Sequence, residues 1–150
     1  MKKGIIVKGI GGFYYIKCDN KIFECKARGR FRNENIKPLV GDYVKFSVYE
    51  NSNTGIIEEI LDRKIKLLRP PVANVEQAII VFAAKNPEPN MVLLDKMLIL
   101  GESVGLKLNI CINKVDLDDE RIYQKIQDVY KNTDYNVIFS STKSKIGIDE

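Results

Sequence analysis

The sequence predicts two domains: a small all-β barrel of five strands, then a partial α/β unit built on a parallel sheet. Three observations predict it. Over the first seventy residues, short runs rich in Ile, Val, Phe and Tyr are punctuated by glycine. At Arg69-Pro70-Pro71-Val72 two prolines fix an extended path and forbid helix just before them, which divides the chain into residues 1–70 and 71–150. Beyond that point the apolar pattern changes to buried runs and helical spacing.

In the first domain the expected strands are Gly4–Lys8, Phe13–Cys18, Lys21–Ala27, Tyr43–Tyr49 and Gly55–Leu61. Asp19-Asn20 supplies a two-residue hairpin turn between the second and third. In the fourth, Val44, Phe46 and Val48 alternate with Tyr43, Lys45, Ser47 and Tyr49, the period of a strand with one face in a core and one in water. Five strands in some sixty residues are too few for two packed sheets of useful size. A closed or nearly closed antiparallel barrel of the OB-fold type fits better.

In the second domain, Ala78–Ala84 is an unbroken apolar run, expected as a strand buried on both faces, and the segment 85–90 (KNPEPN) then breaks the chain. Met91–Val104 has apolar residues at helical spacing, with Gly105 placed to end the helix. Lys107–Ile112 reads as a second buried strand. Asp118–Asn132 reads as an amphipathic helix through Ile122, Ile126 and Val129, with acidic residues in its first turn, and Asn136–Phe139 as a third strand. The order β-α-β-α-β implies a parallel sheet with right-handed crossovers. Three strands and two helices are about half a doubly wound sheet, so apolar faces should be left uncovered or the unit poorly ordered.

Composition narrows the function classes. A chain of 150 residues with 45% apolar and 29% charged residues is neither disordered nor collagenous. Its longest apolar run is far too short to span a membrane, and the N-terminus lacks the pattern of a signal peptide. With three cysteines (Cys18, Cys25 and Cys111) and no histidine, a zinc cage is not expected, and the cysteines read as small core residues of a cytosolic protein, Cys111 buried in its strand. The net charge of +4 hides an asymmetry. Residues 1–70 carry fifteen Lys/Arg against eight Asp/Glu, whereas residues 71–150 carry nine against twelve, so the two domains have different partners.

Two loops carry the chemistry of the second domain. Asn113-Lys114-Val115-Asp116 follows its second strand and Ser140-Ser141-Thr142-Lys143 its third, both at the carboxyl edge where open α/β sheets bind ligands. Guanine presents an N1–H and an N2 amine side by side, and one carboxylate at Asp116 can accept both; adenine offers no such pair. Asn113 can tie the loops together and reach the acceptor side of the base, while the Lys114 stem can cover its face. Backbone amides at Thr142 and Lys143 can meet the guanine O6, with the small Ser141 permitting the turn. The four-residue motif alone also suits a polar turn with Asp116 or Asp118 as a helix N-cap; the second small-polar loop one β-α unit later favours guanine.

In the first domain, Lys26-Ala27-Arg28-Gly29-Arg30-Phe31-Arg32 places four cations and one aromatic in seven residues. That suits an RNA backbone held by Lys26, Arg28, Arg30 and Arg32 with a base stacked on Phe31. The alternative is a solvated loop whose Phe31 tucks into the barrel end. Tyr14, Tyr43 and Tyr49 read as packing or edge residues, and Gly41-Asp42 as a turn.

With these motifs in hand, the chain resembles the N-terminal half of the RsgA (YjeQ) family of ribosome-associated GTPases. The matching stretches are Ala27–Arg32, Val40–Val44, Leu68–Val75, Leu94-Asp95-Lys96, Asn113–Leu117 and Ser140–Lys143. The resemblance implies an OB-fold that engages ribosomal RNA and the start of a P-loop-type, circularly permuted GTPase domain. It also implies a cytoplasmic, monomeric factor of small-subunit assembly that uses GTP or GDP with magnesium, with zinc in a C-terminal module. No G-x-x-x-x-G-K-[ST] run occurs in these 150 residues, so the chain is expected to be the N-terminal portion of such a protein, able to hold a base but not alone to hydrolyse GTP. The rival reading is a stand-alone RNA-binding protein whose second domain is a degenerate scaffold.

Overall fold

A computed structural model describes residues 1–118 and 121–148, with the Arg32 side chain outside that description. The chain forms two compact units, Met1–Val75 and Glu76–Glu150.

The first unit contains β1 (Lys2–Ile10), β2 (Phe13–Cys18), β3 (Lys21–Ala27), the one-turn helix α1 (Arg30–Asn33), β4 (Tyr43–Val48) and β5 (Thr54–Ile60). These strands close into a barrel in the order β1-β2-β3-β5-β4, with β4 returning to β1 through pairs such as Gly4 with Val44. The barrel is not wholly antiparallel as expected, because β3 and β5 run parallel, Cys25 beside Gly55 and Ala27 beside Ile57. The reason is parity: a ring of five strands cannot alternate direction all the way round, so one neighbouring pair must match. Inward residues alternate along each strand, and Ile6, Ile16, Val44, Phe46 and Ile57 are wholly buried.

The segment after β5 is bound to the barrel. Short strands β6 (Lys66–Leu67) and β7 (Val72–Ala73) pair with each other, and the Ala73 N–H donates to the Val40 carbonyl at 2.8 Å. The two prolines therefore sit in the turn of a small hairpin and not in an extended linker, and the first unit runs to Val75. Gly41 (φ +92°) makes this contact possible, since a Cβ there would lie 1.9 Å from the Ala73 oxygen. Beside it, the fully buried Asp42 accepts from Arg63 Nε and Nη2 at 2.7 Å each and from the Leu39 N–H at 2.7 Å. The expected turn at Gly41-Asp42 thus also holds a buried ion pair.

The second unit contains β8 (Gln77–Ala83), α2 (Met91–Ser103), β9 (Lys107–Asn113), a 3-10 turn (Val115–Leu117), α3 (Ile122–Tyr130) and β10 (Asn136–Phe139). The sheet is parallel throughout, in the order β10-β9-β8. Asn90 caps α2 by accepting from the Leu93 N–H at 2.9 Å, and Leu94 and Leu98 bury its inner stripe. In the central strand β9, Leu108, Ile110 and Ile112 are buried.

Three expectations are corrected here. Strand β8 is not buried on both faces: Ile79 and Val81 are exposed while Ala78, Ile80 and Phe82 are half-buried, because successive side chains point to opposite faces and α2 packs on the face of Ala78, Ile80 and Phe82. Helix α3 starts at Ile122 and not at Asp118, since Arg121 adopts a left-handed conformation (φ +53°) and Asp118 accepts from the Tyr123 N–H at 2.9 Å; residues 119 and 120 lie outside the described residues. Of the cysteines only Cys25 is buried, while Cys18 and Cys111 are half-buried. No described helix is long and apolar enough to cross a membrane.

Candidate functional site

Strand β9 ends at Asn113 and β10 at Phe139, so the two polar loops leave the same edge of the sheet from adjacent strands. The backbone ties them: the Ser140 N–H donates to the Ile112 carbonyl at 2.9 Å, and the Val115 N–H to the Ser140 carbonyl at 3.3 Å. The Asn113 side chain does the same. Its Oδ1 accepts from the Lys114 N–H at 2.8 Å, the Thr142 N–H at 3.3 Å and the Ser140 hydroxyl at 3.4 Å. Two of these donors are backbone amides, which cannot accept, so the orientation of the side-chain amide is fixed and its NH2 group is left as a donor.

Asp116 is held from the other loop. The hydroxyl of Ser141, which is fully buried, donates to Asp116 Oδ1 and accepts from the Ser144 N–H at 3.0 Å. Among the described residues none bonds Asp116 Oδ2. Ser141 is itself clamped by reciprocal backbone bonds with Ile146 of 2.9 and 3.1 Å. That return path requires Gly147 (φ +61°), where a Cβ would lie 2.0 Å from the Phe139 oxygen. Thr142 and Lys143 are exposed at the loop tip. Lys114 adopts a left-handed conformation (φ +62°), and its ammonium donates to the Asn86 carbonyl.

The structure therefore brings Asn113, Lys114, Asp116, Ser141 and Thr142 together as a paired donor and acceptor at one sheet edge. It adds two groups the sequence reading passed over. Ser140 supports Asn113 and lies 3.4 Å from Cys111 Sγ, a role its place one residue past the strand could have suggested. Asn86 contacts Lys114 through a backbone carbonyl, which no side-chain pattern signals.

Of the two arrangements the sequence allows for the basic loop of the barrel, the structure shows the one with Phe31 tucked in. Phe31 is only 5% exposed and belongs to the barrel core, so it offers no face to a base as it stands. The physical reason is the α1 turn, which swings Phe31 inward over the open end of the barrel and leaves Arg30 outside, its guanidinium 5.3 Å from the Phe31 ring centroid. Arg30 also donates to the Glu58 carbonyl, Arg28 pairs with the Glu58 carboxylate at 2.8 Å, and the Lys26 ammonium lies 4.9 Å over the Phe13 ring. The side chain of Arg32 lies outside the described residues.

Comparison with known proteins identifies the family of the chain. The RsgA N-terminal domain model matches residues 3–57 and the RsgA GTPase model residues 60–150, so the chain belongs to the RsgA family. Among curated relatives, the small ribosomal subunit biogenesis GTPase RsgA of Clostridium acetobutylicum is 50% identical over 148 residues, covering 99% of this chain and 51% of that protein. Its counterpart from Clostridium botulinum is 48% identical over 149 residues, covering 98% and 51%. Among solved structures, YjeQ from Thermotoga maritima is 35% identical with a TM-score of 0.85, covering 99% of this chain and 54% of that one. YloQ, described as a circularly permuted GTPase, is 39% identical with a TM-score of 0.78, covering 95% and 52%. The chain spans about half the length of the curated relatives it matches.

Proposed function

We propose that this chain is the N-terminal portion of a GTP-hydrolysing factor that acts in assembly of the small ribosomal subunit. In this reading the first unit, residues 1–75, is an OB-type barrel with its hairpin that binds ribosomal RNA. Residues 76–150 begin a circularly permuted, P-loop-type GTPase domain that reads guanine, within a monomeric protein of the cytoplasm. The observation that carries it is the fixed pair of complementary groups at the sheet edge. Asn113 offers an N–H donor because its oxygen is fully engaged, and Asp116 offers an acceptor because Ser141 holds one carboxylate oxygen while among the described residues none bonds the other. A guanine base presents the complement: ring acceptors on one side, and N1–H beside the N2 amine on the other.

What these residues supply is selection and positioning of the base. Phosphoryl transfer depends on positioning and on neutralising phosphate charge, and the sequence contains no phosphate-cradling G-x-x-x-x-G-K-[ST] loop. Among the described residues no group of three or more His, Cys, Asp or Glu is placed to hold a metal ion. Magnesium and zinc belong, in this reading, to other parts of the longer protein and take no part in what Asn113 and Asp116 do. Hydrolysis is a property of the longer protein, and the 150-residue chain alone is inactive.

The test is nucleotide competition on the longer protein that carries this segment. GDP and GTP displace one another and ATP does not. Asp116→Ala weakens guanine nucleotide binding by about 2–3 kcal/mol, the scale of lost hydrogen bonds to a charged group. Asp116→Asn shifts preference toward xanthine nucleotides, because the amide donates where the carboxylate accepted. Unchanged guanine preference in Asp116→Asn overturns the site.

A further inference from the structure

The parallel strands β8, β9 and β10 end at one sheet edge, so a third loop, residues 85–90 (KNPEPN), leaves that edge beside the two polar loops. It is fastened at both ends. The N–H of Ala84, a wholly buried residue, donates to the Asn113 carbonyl at 2.8 Å, and Asn90 at the far end caps α2. Between these anchors Pro87 and Pro89 restrict the backbone. Asn86 adopts a left-handed conformation (φ +53°), and its carbonyl accepts from the Lys114 ammonium. Lys114 is half-buried, so its methylenes bridge the β9 loop and the β8 loop with the charge held at one end.

We propose that Asn86 is a positioning residue for nucleotide binding: its backbone carbonyl anchors the Lys114 ammonium, so that the lysine stem forms a fixed apolar wall against the face of the bound base. The inference rests on the reading of Asn113 and Asp116 as the guanine site, and adds to it a group that acts through Lys114. A free lysine side chain samples many rotamers, and ordering it when a ligand arrives opposes binding. With the ammonium already held, that ordering precedes the ligand, the general advantage of preorganisation. The division of labour follows from chemistry. Edge contacts at Asn113 and Asp116 read donors and acceptors, and so discriminate between bases. A methylene wall touches the ring face, which guanine, xanthine and hypoxanthine share. Asn86 therefore governs how tightly and how long a purine nucleotide stays, and not which one. The loop carries this role through its main chain: the sequence has only to supply a residue that tolerates a φ of +53°, which asparagine does and a β-branched residue does not.

The test is made on the longer protein that carries this segment, with GDP, IDP and ADP as ligands; IDP lacks the N2 amine that donates to Asp116 in this reading. Asn86→Val, which resists the left-handed backbone, should weaken GDP and IDP alike by about tenfold, the scale of a lost hydrogen bond to a charged group, mainly through faster dissociation. The GDP-to-IDP affinity ratio should hold, whereas a general loosening of the site would lower it. Asn86→Gly keeps the left-handed backbone and should recover most of the affinity. Lys114→Met keeps an unbranched stem without the ammonium, and adding Asn86→Val to it should weaken GDP no further, since both act on one contact. Asn86→Val binding like wild type, Asn86→Gly as weak as Asn86→Val, a falling GDP-to-IDP ratio, or losses that add in the double variant each overturn the positioning role while the guanine site stands. Wild-type protein that binds GDP no better than ADP removes the guanine site and this inference together. Should Asn86→Val fail to fold, judged by circular dichroism, Asn86→Ala applies a smaller strain at the same backbone position: GDP affinity and dissociation equal to those of Asn86→Gly overturn the proposal.

Discussion

Val44, Phe46 and Ile57 in the barrel are fully buried, whereas Ile79 and Val81 on β8, no less apolar, stand 56% and 60% exposed. Residue type does not separate the two sets; closure does. Each barrel strand has a bonded neighbour on both sides, so every inward side chain meets the opposite wall. In the second unit α2 covers one face of the sheet, where Ile110 and Ile112 are as buried as the barrel core, while Ile79 and Val81 alternate onto the opposite face. Packing completeness, set by topology, determines how much an apolar residue contributes at its position.

The largest expected effect follows directly. Phe46→Ala should destabilise the barrel by about 3–5 kcal/mol through lost burial and a residual cavity, while Val81→Thr should change stability by less than about 0.5 kcal/mol. Urea unfolding followed by circular dichroism measures both, and similar costs for the two would break the comparison.

Ion pairs sharpen it. Asp42 is wholly buried against Arg63, whereas the Asp128–Lys131 pair at 3.3 Å on α3 has side chains 73% and 59% exposed. Asp42→Ala should cost about 3 kcal/mol, because it leaves the guanidinium without its partner beside the hairpin that fastens residues 61–75 to the barrel. Asp128→Ala should cost under about 0.5 kcal/mol, since water and salt already screen that pair.

Alkaline pH gives the smallest effect and a difference in onset. Burial, with Glu24 adding to it, pushes the Cys25 thiol from its ordinary 9.0 up to about 11. In the second unit the hydrogen bond to Glu102 leads in pushing Tyr135 from 10.0 up to about 12, and burial with a bond to Asp95 raises Tyr130 as well. A folded-state pKa above the unfolded value gives stability that is complete below the unfolded pKa and is lost as pH rises toward the folded one. The barrel should therefore weaken from pH 9 to about 11, and the second unit from pH 10 to about 12. Cys25→Ala should remove the earlier step, on the order of 1–2 kcal/mol, in stability measured across that range; an unchanged onset would show that another group causes it.

The sequence was most legible where a signal is local. Alternation along β4 and the Asp19-Asn20 turn located strands and register, and glycine after the α2 pattern located its end, since each depends on a few neighbouring residues. The placement of Asn113 and Asp116 was legible because a loop straight after a buried strand must emerge at the sheet edge. Phe31 stayed between two readings for the opposite reason: an aromatic among arginines suits either a stacked base or the barrel end, and only the one-turn helix between β3 and β4 turns it inward. Asp42 looked like an ordinary turn residue because its partner, Arg63, lies twenty-one residues away.

By itself, then, the sequence determined the strands, the helices, the change of character near the proline pair and the two polar loops, because backbone preference and apolar period act over a few residues. Tertiary structure alone decided that β3 and β5 run parallel, since closing an odd ring is a property of the whole barrel. It alone decided that β8 is an edge among the described strands, that residues 61–75 belong with the barrel, and that the Lys114 and Thr142 amides orient Asn113 while Ser141 holds Asp116. Those outcomes depend on contacts between residues distant in the chain, whose energies no local pattern records.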